Sequence, residues 1–147
     1  MDYALSGEDI SRRLVKLRGI VSEHLFFQGM AMTNTLFIIN DAPYGSERAY
    51  NALRLAGALA GKEGQLVRVF LLADAVGCAR AGQKVPEGYY NVELMLGKVQ
   101  RKGELALCGT CMDARGMNEC DMINGAHRST LAQLADWTAE ADKVLVF

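Results

Sequence analysis

The sequence lacks both an excess of charge of one sign and a long hydrophobic run. Its 147 residues contain 16 Lys plus Arg against 17 Asp plus Glu, which gives a net charge of −1 at pH 7. Because nucleic acids and anionic membranes are bound largely through basic surfaces, we expect neither as a direct partner. The most apolar stretch, 66–76, is interrupted by Arg68 and Asp74 and is much shorter than a membrane span. The charged N-terminus is unlike a signal peptide, so we expect a soluble protein.

Cysteine and histidine are also scarce, which limits the chemistry that the chain can carry. His24 and His127 are the only histidines, and neither belongs to a recognisable nucleophile-and-base arrangement. The cysteines stand at positions 78, 108, 111 and 120, too few and too unevenly spaced for a disulfide scaffold. We therefore expect free thiols and a cytoplasmic location. Glycine-rich phosphate-binding patterns are absent after the first predicted strand, so we expect no cofactor.

Short apolar runs alternate with helical patterns from residue 35 onward. The runs of strand length are 36–39, 66–73, 105–108 and 144–147. Between them, the spacing of apolar residues predicts helices over 46–60, 92–99 and 129–141. Ser46 stands where the first helix needs its N-cap. The segment 117–128, with its apolar pair Met122 and Ile123, has room for one brief further strand.

This alternation predicts right-handed βαβ units and helices on both faces of a parallel sheet. We expect a doubly wound three-layer α/β/α sandwich with about five strands, forming a single domain over 33–147. A chain with half of its residues hydrophobic and of this length can build a full core. Residues 1–32 are predicted to be a helical arm outside that core. Within them, 23–29 resembles the site of a tag-removing protease, so the arm is native, the result of a start assigned upstream of Met30 or Met32, or tag-derived.

The most informative motif is the Cys-x-x-Cys of Cys108 and Cys111, which follows the apolar run 105–108. Two thiols at this spacing can form a disulfide, share a metal, or let one carry a sulfur atom that the other attacks. A thiol acts as the thiolate, which helix N–H groups, a cation or a paired thiol can stabilise. We expect Arg115 to be the only nearby fixed cation, and the sulfur of Cys108 to lie at an open strand end within reach of solvent.

Ligands of such sheets lie beyond the carboxyl ends of the strands, so we expect one site where the exit loops meet. The predicted catalytic residues are Cys108, Cys111 and Arg115. The predicted pocket rim consists of Asp41, Tyr44, Gly45, Ser46, Asp74, Gly109 and Thr110. Two aspartates at neighbouring strand ends are found in phosphoacceptor pockets, but aspartates also commonly end strands and form turns.

Three other interpretations of the cysteines compete with a thiol site. In the first interpretation, Cys108 continues an apolar strand and is an inert core residue. A zinc site would use Cys108, Cys111, Cys120 and His127, but their spacing matches none of the usual structural patterns, so we expect no metal. A thioredoxin-like oxidoreductase places its motif after the first strand of its thioredoxin unit, whereas here it follows the third.

Further motifs occur in order along the chain beside the cysteine pair. They are 39–47 (INDAPYGSE), 70–76 (FLLADAV), 82–84 (GQK), 87–90 (EGYY), 107–111 (LCGTC) with 115–116 (RG), and 141–145 (ADKVL). Together they resemble the DsrE/DsrF family, and closely its YchN branch, from about residue 33 to the C-terminus.

The resemblance implies a parallel-sheet α/β fold and assembly as homotrimers or hexamers. It places the chain in a group whose best understood relatives pass persulfide sulfur between proteins in sulfur oxidation or in thiolation of transfer RNA. The acceptor cysteine of those carriers falls on Cys108, eight residues before Gly116 of the Arg-Gly pair. Cys111 matches the second cysteine of the YchN branch, which the carriers lack.

Three functions follow from these observations. The first is a sulfur carrier, in which Cys108 accepts sulfur from a donor protein for an acceptor protein. Cys111 then releases the sulfur by attacking the persulfide, and Arg115 with loop N–H groups steadies the anion. The second is a dithiol redox or sensing protein with a reversible disulfide. The third is an oligomeric module that binds a small ligand at the rim, where the cysteines only pack.

Overall fold

The structure, a computed structural model, describes residues 32–147. The arm predicted for residues 1–32 therefore lies outside the described residues, apart from Met32. Residues 33–147 form one compact unit.

Five parallel strands build a single sheet with the order β4-β3-β2-β1-β5. They are β1 Thr33–Ile39, β2 Gln65–Leu71, β3 Glu104–Cys108, β4 His127–Ser129 and β5 Lys143–Val146. The predicted α/β class and the parallel sheet of about five strands are confirmed.

Four α-helices connect these strands. They are α1 Arg48–Ala60, α2 Val92–Gln100, α3 Gly109–Asp113 and α4 Leu131–Glu140, with 3-10 segments at Ala73–Ala79 and Glu119–Asp121. The chain steps from β1 to β4 in one direction and returns across the sheet to β5. Right-handed connections then place α1 and α2 on one face and α4 on the other. This gives the predicted three layers.

The core lies between these layers, and the alternation of side chains along β2 shows how. Val69 and Leu71 are buried on one face, whereas Phe70 points to the other face and meets the edge of Trp137 from α4. Residues of one strand that differ by one position lie on opposite faces, so both faces of a central strand must be apolar. The continuous apolar runs in the sequence reflect this double burial.

Two local predictions are corrected. The brief strand expected within 117–128 pairs at His127–Ser129, whereas Met122 makes only an isolated bridge to Arg80. The N-cap of α1 is Glu47 instead of Ser46. The Ser46 hydroxyl donates to the carboxylate of Asp41 at 2.6 Å and accepts only a long 3.4 Å contact from the backbone N–H of Arg48. Its main hydrogen bond therefore lies within the loop before α1.

The register of β2 and β3 brings their exit segments together. Leu71 pairs with Leu107, so both strands end at the same level of the sheet. The 3-10 segment Ala73–Ala79 consequently lies beside α3, which contains Cys111. No helix within residues 32–147 is long and apolar enough to cross a membrane.

Candidate functional site

The cysteine pair lies where β3 passes into α3. Cys108 is both the last residue of the strand and the N-cap of the helix, and Cys111 lies in the helix. The Cys111 thiol donates to the sulfur of Cys108, with the two sulfurs 2.7 Å apart, and the Thr110 hydroxyl lies 3.2 Å from the same sulfur. The strand-end position is as predicted, but Cys108 is only 7% exposed, so it is less open to solvent than expected. Cys111 is more exposed than Cys108.

The two thiols have opposite electrostatic environments. Burial raises the pKa of Cys108, but hydrogen bonds from the side chains of Cys111 and Thr110 and from their backbone N–H groups outweigh it, so this pKa is lowered. The pKa of Cys111 is raised, first by burial and then because its proton is engaged by Cys108. A shared proton therefore favours Cys108 as the thiolate and Cys111 as the thiol.

A strained backbone amide contacts Cys111 from the neighbouring segment. The N–H of Ala73 donates to the sulfur of Cys111 at 3.2 Å. Ala73 has φ 46°, and it is the only non-glycine residue with positive φ among residues 32–147. A side chain in this region of φ costs roughly 1–2 kcal/mol. The strain at Ala73 thus accompanies an N–H that points at the sulfur of Cys111.

Arg115 ties α3 to the 3-10 segment. Its Nη1 donates to the backbone oxygen of Cys111 at 3.0 Å, while Nε and Nη2 donate to Asp74 at 3.0 and 2.6 Å. Arg115 therefore meets the main chain of Cys111, and its charge, which lowers the pKa of that thiol, is shared with a carboxylate. Gly116 follows with φ 61°, a conformation that glycine adopts without strain, which explains an Arg-Gly pair at the end of α3.

A second cation, Arg128, lies beside the site, so the expectation that Arg115 is the only one is wrong. Arg128 belongs to β4, pairs with Leu107, and donates to both carboxylate oxygens of Asp113. Its guanidinium lies against Gly109. Sequence analysis missed it because it follows Cys108 by twenty residues and reaches the site only through the pairing of β3 with β4. The only indication of Arg128 in the sequence was the brief further strand expected within 117–128, a range that includes this residue.

The predicted rim divides into three groups. Asp74, Gly109 and Thr110 lie with the cysteines, as described above. Asp41 and Ser46 bond to each other, and Arg48 approaches Asp41 at 3.7 Å. Asp41 and Arg48, together with Asn40, Val146 and Phe147, border a hollow of about 360 Å³. Within residues 32–147, no side-chain hydrogen bond or ion pair joins this second group to Cys108 or Cys111.

Tyr44 and Gly45 form the third group of the predicted rim. The hydroxyl of Tyr44 donates to Gln83 at 2.6 Å, and its ring lies 5.8 Å from that of Tyr90. Gly45 has φ 108° in the same loop, which explains glycine there. These residues hold the loop after β1 to the segment before α2.

The remaining cysteines lie apart from the pair. Cys78 is fully buried, and burial raises its pKa to about 12. Cys120 is exposed, and His127 packs edge-on against Trp137. In the part of the chain that the structure describes, no group of three or more His, Cys, Asp or Glu side chains is placed to hold a metal ion.

Comparison with known proteins identifies the family. The model of the DsrE/DsrF-like family matches residues 33–147. The chain belongs to the DsrE/DsrF-like family. Protein YchN of Escherichia coli K12 is 45% identical over 118 residues, which are 79% of this chain and 100% of the relative. The uncharacterized protein MK0008 of Methanopyrus kandleri is 40% identical over 110 residues, 75% of this chain and 90% of the relative.

Solved structures agree with this family assignment. The crystal structure of the YchN protein from E. coli is 44% identical, with a TM-score of 0.75, and the alignment covers 79% of this chain and all of that one. Protein MTH1491 of Methanobacterium thermoautotrophicum, of unknown function, shares the fold at 13% identity, with a TM-score of 0.63 over 78% of this chain and 99% of its own. The predicted resemblance to the DsrE/DsrF family and its YchN branch is confirmed.

Proposed function

We propose that this DsrE/DsrF-like protein is a sulfur carrier in which Cys108 holds the transferred sulfur and Cys111 assists its release. The observation that supports this most strongly is the contact between two thiols whose environments favour opposite protonation states. A nucleophile and a proton donor in contact are what an exchange reaction at sulfur requires. The link of the family to sulfur relay agrees with this chemistry.

Loading transfers a sulfur atom together with the oxidation level of the donor persulfide, so it needs no external oxidant. The Cys108 thiolate attacks the outer sulfur of a persulfide on a donor protein. The sulfur–sulfur bond of the donor breaks, the donor leaves as a thiolate, and Cys108 becomes a persulfide. The Cys111 thiol supplies a hydrogen bond to the sulfur of Cys108 throughout, and Ala73 supplies one to Cys111.

Release follows one of two balanced routes. An acceptor thiolate can take the outer sulfur directly, which returns Cys108 as a thiolate. Alternatively, Cys111 loses its proton and attacks the inner sulfur, which forms a Cys108–Cys111 disulfide and expels hydrosulfide. The second route needs an external dithiol that donates two electrons to restore the cysteines, so it fits a reducing cytoplasm.

A dithiol redox function is the second candidate, and the same 2.7 Å approach of the two sulfurs favours it. A protein of this kind forms the disulfide directly with an oxidant and retains no sulfur. The third candidate is a module that binds a small ligand at the rim. In such a protein the cysteines only pack, so both sulfurs would be unreactive. The first experiment below separates all three.

Incubation of the reduced protein with a low-molecular-weight persulfide tests the proposal. We expect peptide mass spectrometry to show one added sulfur on the peptide of Cys108 in wild type and in Cys120→Ser. Cys108→Ser should retain none, and Cys111→Ser should retain it longer than wild type because the internal attack is lost. Equal labelling of wild type and Cys108→Ser contradicts the carrier role, and so does the absence of added sulfur on Cys108 in Cys111→Ser, where internal attack cannot remove it.

We further propose that the carrier assembles as homotrimers or hexamers. Apolar side chains remain exposed on the edge strand β5, where Val144 is 39% exposed and Val146 is 65% exposed. Exposed apolar residues that lie close together commonly mark protein interfaces. Analytical ultracentrifugation should show an assembly that Val146→Glu dissociates, whereas a monomeric wild type would contradict this.

A further inference from the structure

Arg128 is held in a fixed position beside the strand end that carries Cys108. It pairs in β4 with Leu107, the residue immediately before Cys108 in β3. Its Nη1 and Nη2 donate to the two carboxylate oxygens of Asp113 at 2.8 and 2.5 Å. Two parallel hydrogen bonds fix the plane of a guanidinium as well as its distance. The cation is therefore fixed both by its strand and by α3.

The guanidinium rests against the residue that follows Cys108. A Cβ atom at Gly109 would lie 2.8 Å from Nε and 3.0 Å from Cζ of Arg128. Only a residue without a side chain leaves room for this approach. The cation thus reaches the backbone between the two cysteines because position 109 is glycine.

Arg128 and Cys108 also interact electrostatically. The pKa of Arg128 is raised mainly by its hydrogen bond to Asp113, and the negative charges of Glu119 and Cys108 raise it as well. The interaction is reciprocal, because a cation that is stabilised by an anion stabilises that anion equally.

We propose that Arg128 is a positioning residue that favours the anionic form of the Cys108 sulfur, and that Asp113 limits this effect. The inference rests on the proposed function, in which Cys108 acts as a thiolate and then carries a persulfide anion. Asp113 has two opposing roles, because its carboxylate orients the guanidinium while its charge partly cancels that of Arg128. An uncharged side chain at 113 should therefore strengthen the field at the sulfur, and an uncharged side chain at 128 should weaken it.

The field at Cys108 has contributions from every element that surrounds the strand end. The ionisable groups are Cys111 and Asp113 of α3, Arg115 after α3, Asp74 of the 3-10 segment, Glu119 of the second 3-10 segment and Arg128 of β4. Substitutions at 113 and 128 change two of these while they leave the hydrogen bond from Cys111 and the Arg115–Asp74 pair in place.

The test is the pH dependence of alkylation of Cys108 by iodoacetamide in the reduced full chain, followed by peptide mass spectrometry. We expect Arg128→Gln to move the midpoint up by about half a unit to one unit, which is about a three- to tenfold slower reaction below the midpoint. Asp113→Asn should move it down. Arg128→Lys should restore most of the wild-type midpoint because it keeps the charge. Arg101→Gln, which removes an exposed arginine at the end of α2, should leave it unchanged.

Shifts of opposite sign for Arg128→Gln and Asp113→Asn support the inference. A purely structural ion pair predicts shifts of the same sign or none, and either result overturns it. Thermal unfolding of each variant confirms that it is folded at the temperature of the assay. If neither wild type nor Cys111→Ser acquires sulfur but the midpoints move in opposite directions, the carrier function fails and the role of Arg128 stands. If wild type is loaded with sulfur but the midpoints do not move, the carrier function stands and the proposed role of Arg128 fails.

Discussion

Cys78 and Cys108 follow neighbouring strands at the same edge of the sheet, yet their surroundings differ. Cys78 is enclosed by core residues, and within residues 32–147 its thiol makes one hydrogen-bond contact, a 3.9 Å approach to the backbone oxygen of Asp41. Cys108 is almost as covered, but it accepts from Cys111 and lies beside Thr110. Burial therefore raises the pKa of the first thiol, whereas hydrogen-bond donors lower the pKa of the second. Donors near the sulfur, more than exposure, account for the opposite directions of the two pKa shifts.

The largest expected effect is the difference in alkylation rate between these two cysteines. A thiol with a pKa of about 12 is roughly one part in ten thousand thiolate at pH 8, and the pKa of Cys108 lies below its ordinary value. We expect Cys108 to react at least about a thousandfold faster than Cys78 in the native protein. A time course of iodoacetamide labelling read by peptide mass spectrometry measures both rates. Comparable rates would show that burial governs both sulfurs.

Removal of the Cys111 thiol should make Cys108 resemble Cys78. Cys111→Ala deletes the hydrogen bond to the Cys108 sulfur, and a hydrogen bond to a charged group is worth about 1.5–3 kcal/mol. We expect the midpoint of Cys108 alkylation to rise by about one to two pH units. The matched control is Cys120→Ala, which removes an exposed cysteine outside the pair. An unchanged midpoint in Cys111→Ala would mean that Thr110 and the backbone suffice.

The cysteine pair and its strand were predictable because they depend on local sequence. The run 105–108 is apolar enough to be a buried strand, whereas the short helix Gly109–Asp113 after it was not among the helices predicted from the sequence. Asp74 and Arg115 were each assigned to the site, since both follow strands of one parallel sheet. Their ion pair could not be foreseen, because the contact depends on the register of β2 against β3.

Arg128 and Ala73 were missed for a related physical reason. β4 has only three residues, two of them exposed and charged or polar, so its apolar pattern is too weak to predict a strand or its partner. The positive φ of Ala73 is imposed by surrounding contacts, among them the bond from Ala75 to Asn40, and alanine gives no sign of it. Asp41 and Ser46 were predicted to lie with the cysteines because all of these residues stand near the carboxyl ends of parallel strands. The sequence does not show how far apart those strand ends lie.

A moderate effect is expected when the strain at Ala73 is released. Ala73→Gly lowers the cost of φ 46° in the folded state but increases the freedom of the unfolded chain, so we expect a net gain in the free energy of unfolding of about 0.5–1 kcal/mol. The N–H that donates to Cys111 is then less firmly held, so internal attack by Cys111 should slow. Denaturant unfolding and the lifetime of the Cys108 persulfide measure the two effects. A gain in stability with no change in lifetime would separate the strain from the chemistry.

The smallest effect concerns the ion pair on the side of Cys111. Asp74→Asn removes the carboxylate that shares the charge of Arg115, and Arg115 lowers the pKa of Cys111. The sign follows directly: an uncompensated cation favours the Cys111 thiolate, so the pKa of Cys111 should fall. The pair is exposed and screened by solvent, so we expect a decrease of only a few tenths of a unit. Titration of Cys111 in a Cys108→Ser background measures it, and the shift should shrink in high salt. A rise instead would mean that Asp74 acts by orienting Arg115 and that its charge is secondary.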